Sequence, residues 1–154
     1  MIYETIDEFF PSLPSYQPLL GLDLGEKTVG LALSDVQRSI ATPLLTIKRV
    51  KFTIDAAELL SVMTKHSVCG LVLGLPRNMD GTEGARCQKT RAFARNFSAK
   101  WDGSISFWDE RLSTVAAERA LLEADTSRKR RSEVIDHVAA SYILQGALDR
   151  MRHL

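Results

Sequence analysis

Acidic residues occur in this chain where a carboxylate is costly to place. Asp23 interrupts the apolar run "LLGLDLG", Asp109 and Glu110 close "SISFWDE", and Asp136 falls within "SEVIDHVAASYILQGALD". A carboxylate withdrawn from water needs a cation, a set of hydrogen-bond donors or a proton. Asp23 by itself is compatible with a structural pairing in a turn, a phosphate loop or one corner of a metal site. Asp136 is more informative: at about 100° per residue it shares a helix face with Ala140, Ile143 and Ala147, the side that should meet a sheet. Asp109 and Glu110 end a strand, where α/β proteins carry active groups, although for an isolated pair a solvated turn would be the better explanation. Together, acids from two strand ends and one helix offer the hard oxygen ligands that Mg²⁺ or Mn²⁺ takes. Two such ions about 4 Å apart can activate a water and stabilise the leaving oxygen in phosphodiester hydrolysis.

Other chemistries find little support. His66, His137 and His153 are scattered, no G-x-S-x-G occurs, and Cys69 and Cys87 form no C-x-x-C pair. Zinc is not expected, and reduced thiols fit a cytoplasmic protein. His137 follows Asp136 and points about 100° away, so it reads as a surface or packing residue. Basic charge supplies a substrate clue. Between Arg77 and Lys100 there are six basic residues against two acids, Asp80 and Glu83, and "RKRR" follows at Arg128, Lys129, Arg130 and Arg131. Both tracts are suited to phosphates, although a solvated helix face and a disordered linker would also account for them. Lys27, Arg77, Arg86 and Arg111 are expected to contact substrate phosphates. Thr82 and the amides after Gly81 could receive a phosphate at a helix N-terminus.

The elements that must position these groups can be read from periodicity. Residues 1–18 carry three prolines, with a short amphipathic turn around Ile6, Phe9 and Phe10, and form an N-terminal arm expected to pack on the domain surface. Three short β-prone runs follow from Leu19 to Arg49, joined by brief separators that imply antiparallel hairpins. Residues 53–66 space their apolar positions for a helix. "VCGLVLGLP" reads as a central strand covered on both faces. Thr82 is expected to cap a helix from about Glu83 to Trp101. A strand over 104–110 precedes a helix capped by Ser113 or Thr114 and running to about Glu123. "DTSRKRRSE" is expected to be a flexible connection, and a last helix should run from about Ser132 to Arg152. Trp101 and Trp108 read as core or core-edge residues.

The whole is an α/β chain, a mixed sheet with helices on its faces. Its 154 residues suit a single domain over 19–154, and a net charge of +1 does not by itself indicate nucleic acid. No apolar run is long enough to cross a bilayer, and the acidic opening argues against a signal peptide.

Four stretches, "GLDLGEKTVGLALSD", "VLGLPRNMDGTEG", "WDERLSTVAAERAL" and "IDHVAASYILQGALD", resemble the bacterial YqgF family, whose members are named as Holliday junction resolvases or pre-16S rRNA nucleases. The resemblance runs from about Leu20 to Asp149. It implies an RNase H-like fold with a five-stranded mixed sheet, and metal ligation by Asp23, Glu110 and Asp136 rather than Asp109. It also implies cytoplasmic processing of the 5′ end of small-subunit ribosomal RNA, with Mg²⁺ or Mn²⁺, acting on pre-rRNA in the small-subunit precursor. The alternatives are a resolvase of four-way DNA and a non-catalytic RNA-binding assembly factor. A third is a nucleotide-binding module, since "DLGEKTVG" also resembles the first phosphate loop of actin and the sugar kinases. That superfamily needs two lobes, and this chain has room for one. A monomer or a homodimer is expected.

Overall fold

Strand residues face alternately to the two sides of a sheet. In Leu19–Leu24 (β2), Leu20 and Leu22 enter one apolar core and Leu19 the other, with every residue but Leu24 buried. The computed structural model describes residues 1–112 and 128–154, the side chains of 128–135 excepted. Around β2 it places Ile2–Tyr3 (β1), Thr28–Ser34 (β3), Ala41–Lys48 (β4), Gly70–Leu75 (β5) and Ser104–Asp109 (β6). The six strands lie in the order β1-β6-β5-β2-β3-β4. β2, β3 and β4 form the expected antiparallel meander, whereas β2, β5, β6 and β1 run parallel. β5 is buried throughout, as its continuous apolar sequence predicted.

Helices cover both faces. One side receives Phe52–His66 (here α2, after the single-turn α1 at Ile6–Phe9) and Ala85–Ser98 (α3). Ala56, Leu59 and Met63 of α2 and Cys87, Phe93, Ala94 and Phe97 of α3 meet Leu20, Leu22, Leu71 and Leu73 there. α2 is stopped by Ser67, whose left-handed backbone returns its N–H to the carbonyls of Met63 and Thr64. The other face receives Arg128–Arg152 (α4), which buries Ala140, Ile143, Leu144, Ala147 and Leu148.

The structure corrects three expectations. The sheet has six strands rather than five, because Ile2 and Tyr3 pair with Ile105 and Ser106. Two residues carry no readable period, so only the neighbouring β6 edge makes them a strand. The arm also sends Ile6 and Phe9 into the α4 core, where Phe9 is fully buried. Second, α3 starts at Ala85 with Gly84 as its cap and no side-chain cap bond. Thr82 instead donates its hydroxyl to Asp80 (2.6 Å) and accepts from Asn78 (2.9 Å), the local bonding that Asx and hydroxyl side chains favour in loops. Third, "RKRR" belongs to α4 rather than to a linker. Arg and Lys are good helix formers, and a helix already anchored by packing extends through them at little cost. The helix expected to begin at Ser113 or Thr114 lies outside the described residues.

Candidate active site

The site is built around the crossing of α4 over the β2–β3 hairpin. Gly30 lies in β3, and a methyl group placed on it would fall 2.0 Å from the carbonyl oxygen of Asp136. Only a residue without a side chain allows the helix backbone this close. Two residues earlier on the same face, Thr28 donates its hydroxyl to Asp136 Oδ2 at 2.5 Å. The carboxylate is thereby held against the sheet at the point where α4 passes the hairpin. Asp136 is half-buried there, and Ala140 beyond it is fully buried.

Asp23 occupies the same face. It pairs in register with Gly30 across the hairpin and is only 5% exposed. Its predecessor on that face, Gly21, is backed by Leu144 of α4, which fixes the side to which Asp23 points. Glu110 arrives from the third element. It follows β6, two residues after Trp108, which pairs with Gly74 of β5. The Glu110 carboxyl carbon lies 3.3 Å from where a methyl group on Gly74 would be, and Ile143 of α4 lies 2.4 Å from that point. Glycines in β3 and β5 thus leave the room in which Asp136 and Glu110 approach the sheet. Asp23, Glu110 and Asp136 share one face near the carboxyl ends of the parallel strands. Among the described residues no three His, Cys, Asp or Glu are drawn together as a metal-ligand cluster.

Asp109 is committed elsewhere. Arg111 forks onto it at 2.7 Å, and Arg77 lies 3.9 Å away. The Arg111 hydrogen bonds hold the Asp109 carboxyl below the ordinary range against the opposing effect of burial. Arg77 also contacts Glu83 (3.3 Å), which Arg91 binds in turn (2.7 Å). Of the proposed phosphate contacts, Arg77 and Arg111 are therefore already ion-paired. Lys27, Thr82 and Arg86 are exposed and lie in three different places: the β2–β3 turn, the loop before α3, and α3 itself. The side chains of Arg128, Lys129, Arg130 and Arg131 lie outside those described. His137 is half-buried, with Nδ1 3.0 Å from the Thr46 hydroxyl, a packing role as its angular offset predicted.

Sequence reasoning passed over Thr28. Strand alternation would have put its hydroxyl on the face of Gly30, but its partner lies 108 residues away and only the fold brings them together.

Comparison with known proteins identifies the family and agrees with the fold. The family model described as "RuvX: Holliday junction resolvase" matches residues 17–150. A protein of Ruegeria pomeroyi named "Putative pre-16S rRNA nuclease" is 66% identical over 154 residues, covering 100% of both chains. A protein of the same name from Roseobacter denitrificans is 67% identical, covering 99% of this chain and 94% of its own. Among solved structures, T. thermophilus RuvC in complex with Holliday junction substrate superposes with a TM-score of 0.55 at 14% identity, covering 88% of this chain and 96% of that one. The yeast mitochondrial Holliday junction resolvase Ydc2 gives 0.50 at 11% identity, over 96% and 86% of the two chains. At such identities these structures speak for the fold alone, a RuvC-like mixed α/β sheet. The resemblance drawn from four sequence motifs is thus confirmed over nearly the whole chain, which belongs to the RuvX family of Holliday junction resolvases.

Proposed function

We propose that this protein is a metal-dependent endonuclease that hydrolyses phosphodiester bonds, with the 5′ leader of pre-16S rRNA as its substrate in ribosome biogenesis. The observation that carries the reading is that Asp23 and Glu110 lie at strand ends on the face of the sheet that α4 crosses, where α4 brings Asp136, with glycines clearing the approach of Glu110 and Asp136. The names borne by relatives 66% and 67% identical support a nuclease and favour the RNA substrate.

The donor chemistry fits a divalent cation such as Mg²⁺ or Mn²⁺: three carboxylates, one nearly buried, supply the hard oxygens that such ions take. When bound, such ions supply the positive charge that acidifies water and stabilises the leaving oxygen. Asp23 would anchor them from the rigid strand, with Glu110 and Asp136 completing the shell. Thr28 keeps the Asp136 carboxylate in one orientation by donating to it. Lys27 and Arg86, both exposed, would neutralise flanking phosphates.

The deciding experiment compares cleavage of a pre-16S rRNA leader and a four-way DNA junction by the wild type, Asp23→Asn and Asp136→Asn, with and without Mg²⁺. The expected outcome is Mg²⁺-dependent cleavage of the leader that both substitutions lower by at least about 100-fold. Equal activity in all three proteins would overturn the site, and preference for the junction would reassign the substrate.

A further inference from the structure

The opposite face of the sheet holds a cavity that the carboxylates do not use. About 530 Å³ in volume, it opens between the end of β2 and the first turns of α2 and α3. Arg49, Lys51, Arg86 and Lys89 line it, against Glu26 and Asp55. Asp55 is nearly buried and accepts the Val50 amide (3.0 Å), and Arg49 is tied to the Gly25 carbonyl (2.6 Å). Lys51, Arg86 and Lys89 are exposed and, among the described residues, make no ion pair or side-chain hydrogen bond. Arg77, Arg91, Arg111 and Arg150 each pair with a carboxylate. Three of the cations that lack a carboxylate therefore border one concavity, with Phe52 and Leu24 in its wall, while Lys27, Lys48, Lys65, Arg95 and Lys100 lie elsewhere on the surface. Like charges so collected repel unless an anion joins them, and low-dielectric walls strengthen the field they present.

The pocket adjoins the active face only around the β2–β3 turn. Leu24 and Gly25 follow Asp23 directly in the chain, so the two sites lie on opposite sides of one strand end, with Glu26 and Lys27 at the tip between them. We propose that this pocket binds the phosphates of a single-stranded segment flanking the cleaved bond, Lys51, Arg86 and Lys89 neutralising them while Phe52 packs on sugar or base. The proposal rests on the nuclease reading above. A single strand can round the hairpin tip and enter a pocket of small-ligand size. A duplex, stiff over many base pairs, would touch only its rim.

The test uses full-length Asp23→Asn protein, alone and with Lys51→Gln, Arg86→Gln and Lys89→Gln together. Binding of a single-stranded RNA oligomer is followed by fluorescence anisotropy across a salt series, and thermal melting verifies folding. The triple substitution should weaken binding at low salt by at least about 10-fold and make the salt slope shallower by about 2, at roughly 0.7 per single-strand phosphate. Restoring lysine or arginine at position 89 should recover part of the slope. An unchanged slope, or an equal loss with a duplex of the same sequence, would overturn the proposal. Competition by millimolar inorganic phosphate or a mononucleotide as effective as the strand would mark a small-anion site and overturn it too. Loss of slope without any leader cleavage by wild type would sink the nuclease reading and leave the pocket standing. Cleavage that depends on Asp23 with no loss of slope would do the reverse.

Discussion

Gly30 and Asp136 meet backbone to backbone, 2.0 Å separating the Asp136 carbonyl oxygen from the place a Gly30 methyl group would take. Gly30→Ala should push α4 off the hairpin. Overpacking of this kind costs about 1–3 kcal/mol, and for a chain of this size each kcal/mol lowers the melting temperature by about 2–4 °C. Because Asp136 moves with its helix, cleavage should fall further than the melting temperature explains. A variant that melts and cleaves like wild type would show that α4 is not held by this contact.

Thr28 separates positioning from packing. Thr28→Val keeps the shape and removes the donor to Asp136 Oδ2. A hydrogen bond to a charged group contributes about 1.5–3 kcal/mol, so kcat should fall about 10- to 100-fold with KM nearly unchanged. Thr28→Ser, which retains the hydroxyl, should restore most of it. A loss shared equally by Val and Ser would point to packing instead.

The arm is part of the cooperative unit. Phe9 is fully buried among α4 residues and its ring meets Tyr3 edge-on at 6.4 Å. Phe9→Ala should destabilise the protein by about 3–5 kcal/mol, read from urea midpoints. A change below about 1 kcal/mol would mean that the arm is dispensable to the core.

Acid should weaken the loop before α3. The Arg91 hydrogen bonds above all lower the Glu83 carboxyl, and Arg111 does the same for Asp109. Carboxyls lowered in the folded state add stability that is fully present above their unfolded values, about 4.3 for Glu and 3.9 for Asp. That contribution is lost as pH falls below these values towards the folded ones. The urea midpoint should therefore hold from pH 7 to about 5 and drop below about 4. Glu83→Gln with Asp109→Asn should lower the midpoint at pH 7 and flatten the acid limb. An acid limb as steep as that of wild type would place the titrating groups elsewhere.

Much of this architecture is written locally. The antiparallel meander follows from short separators between alternating runs, and β5 from an unbroken apolar stretch. The face of α4 follows from the spacing of Ala140, Ile143 and Ala147, whose burial the structure bears out. Periods of two and 3.6 residues are properties of the chain, so the sequence by itself determined the longer strands and helices and which side of each is apolar.

Only the tertiary structure decided how those elements meet. It paired Ile2 with Ile105, turned the arm into an edge strand, and set Thr28 against Asp136. It also sorted the basic residues, binding Arg77 and Arg91 to carboxylates while leaving Lys51, Arg86 and Lys89 around one cavity. Charge can be counted along a chain, but pairing depends on distances across a sheet. Those distances exist only after helices and strands have packed, with glycines at the crossings setting how closely they can approach.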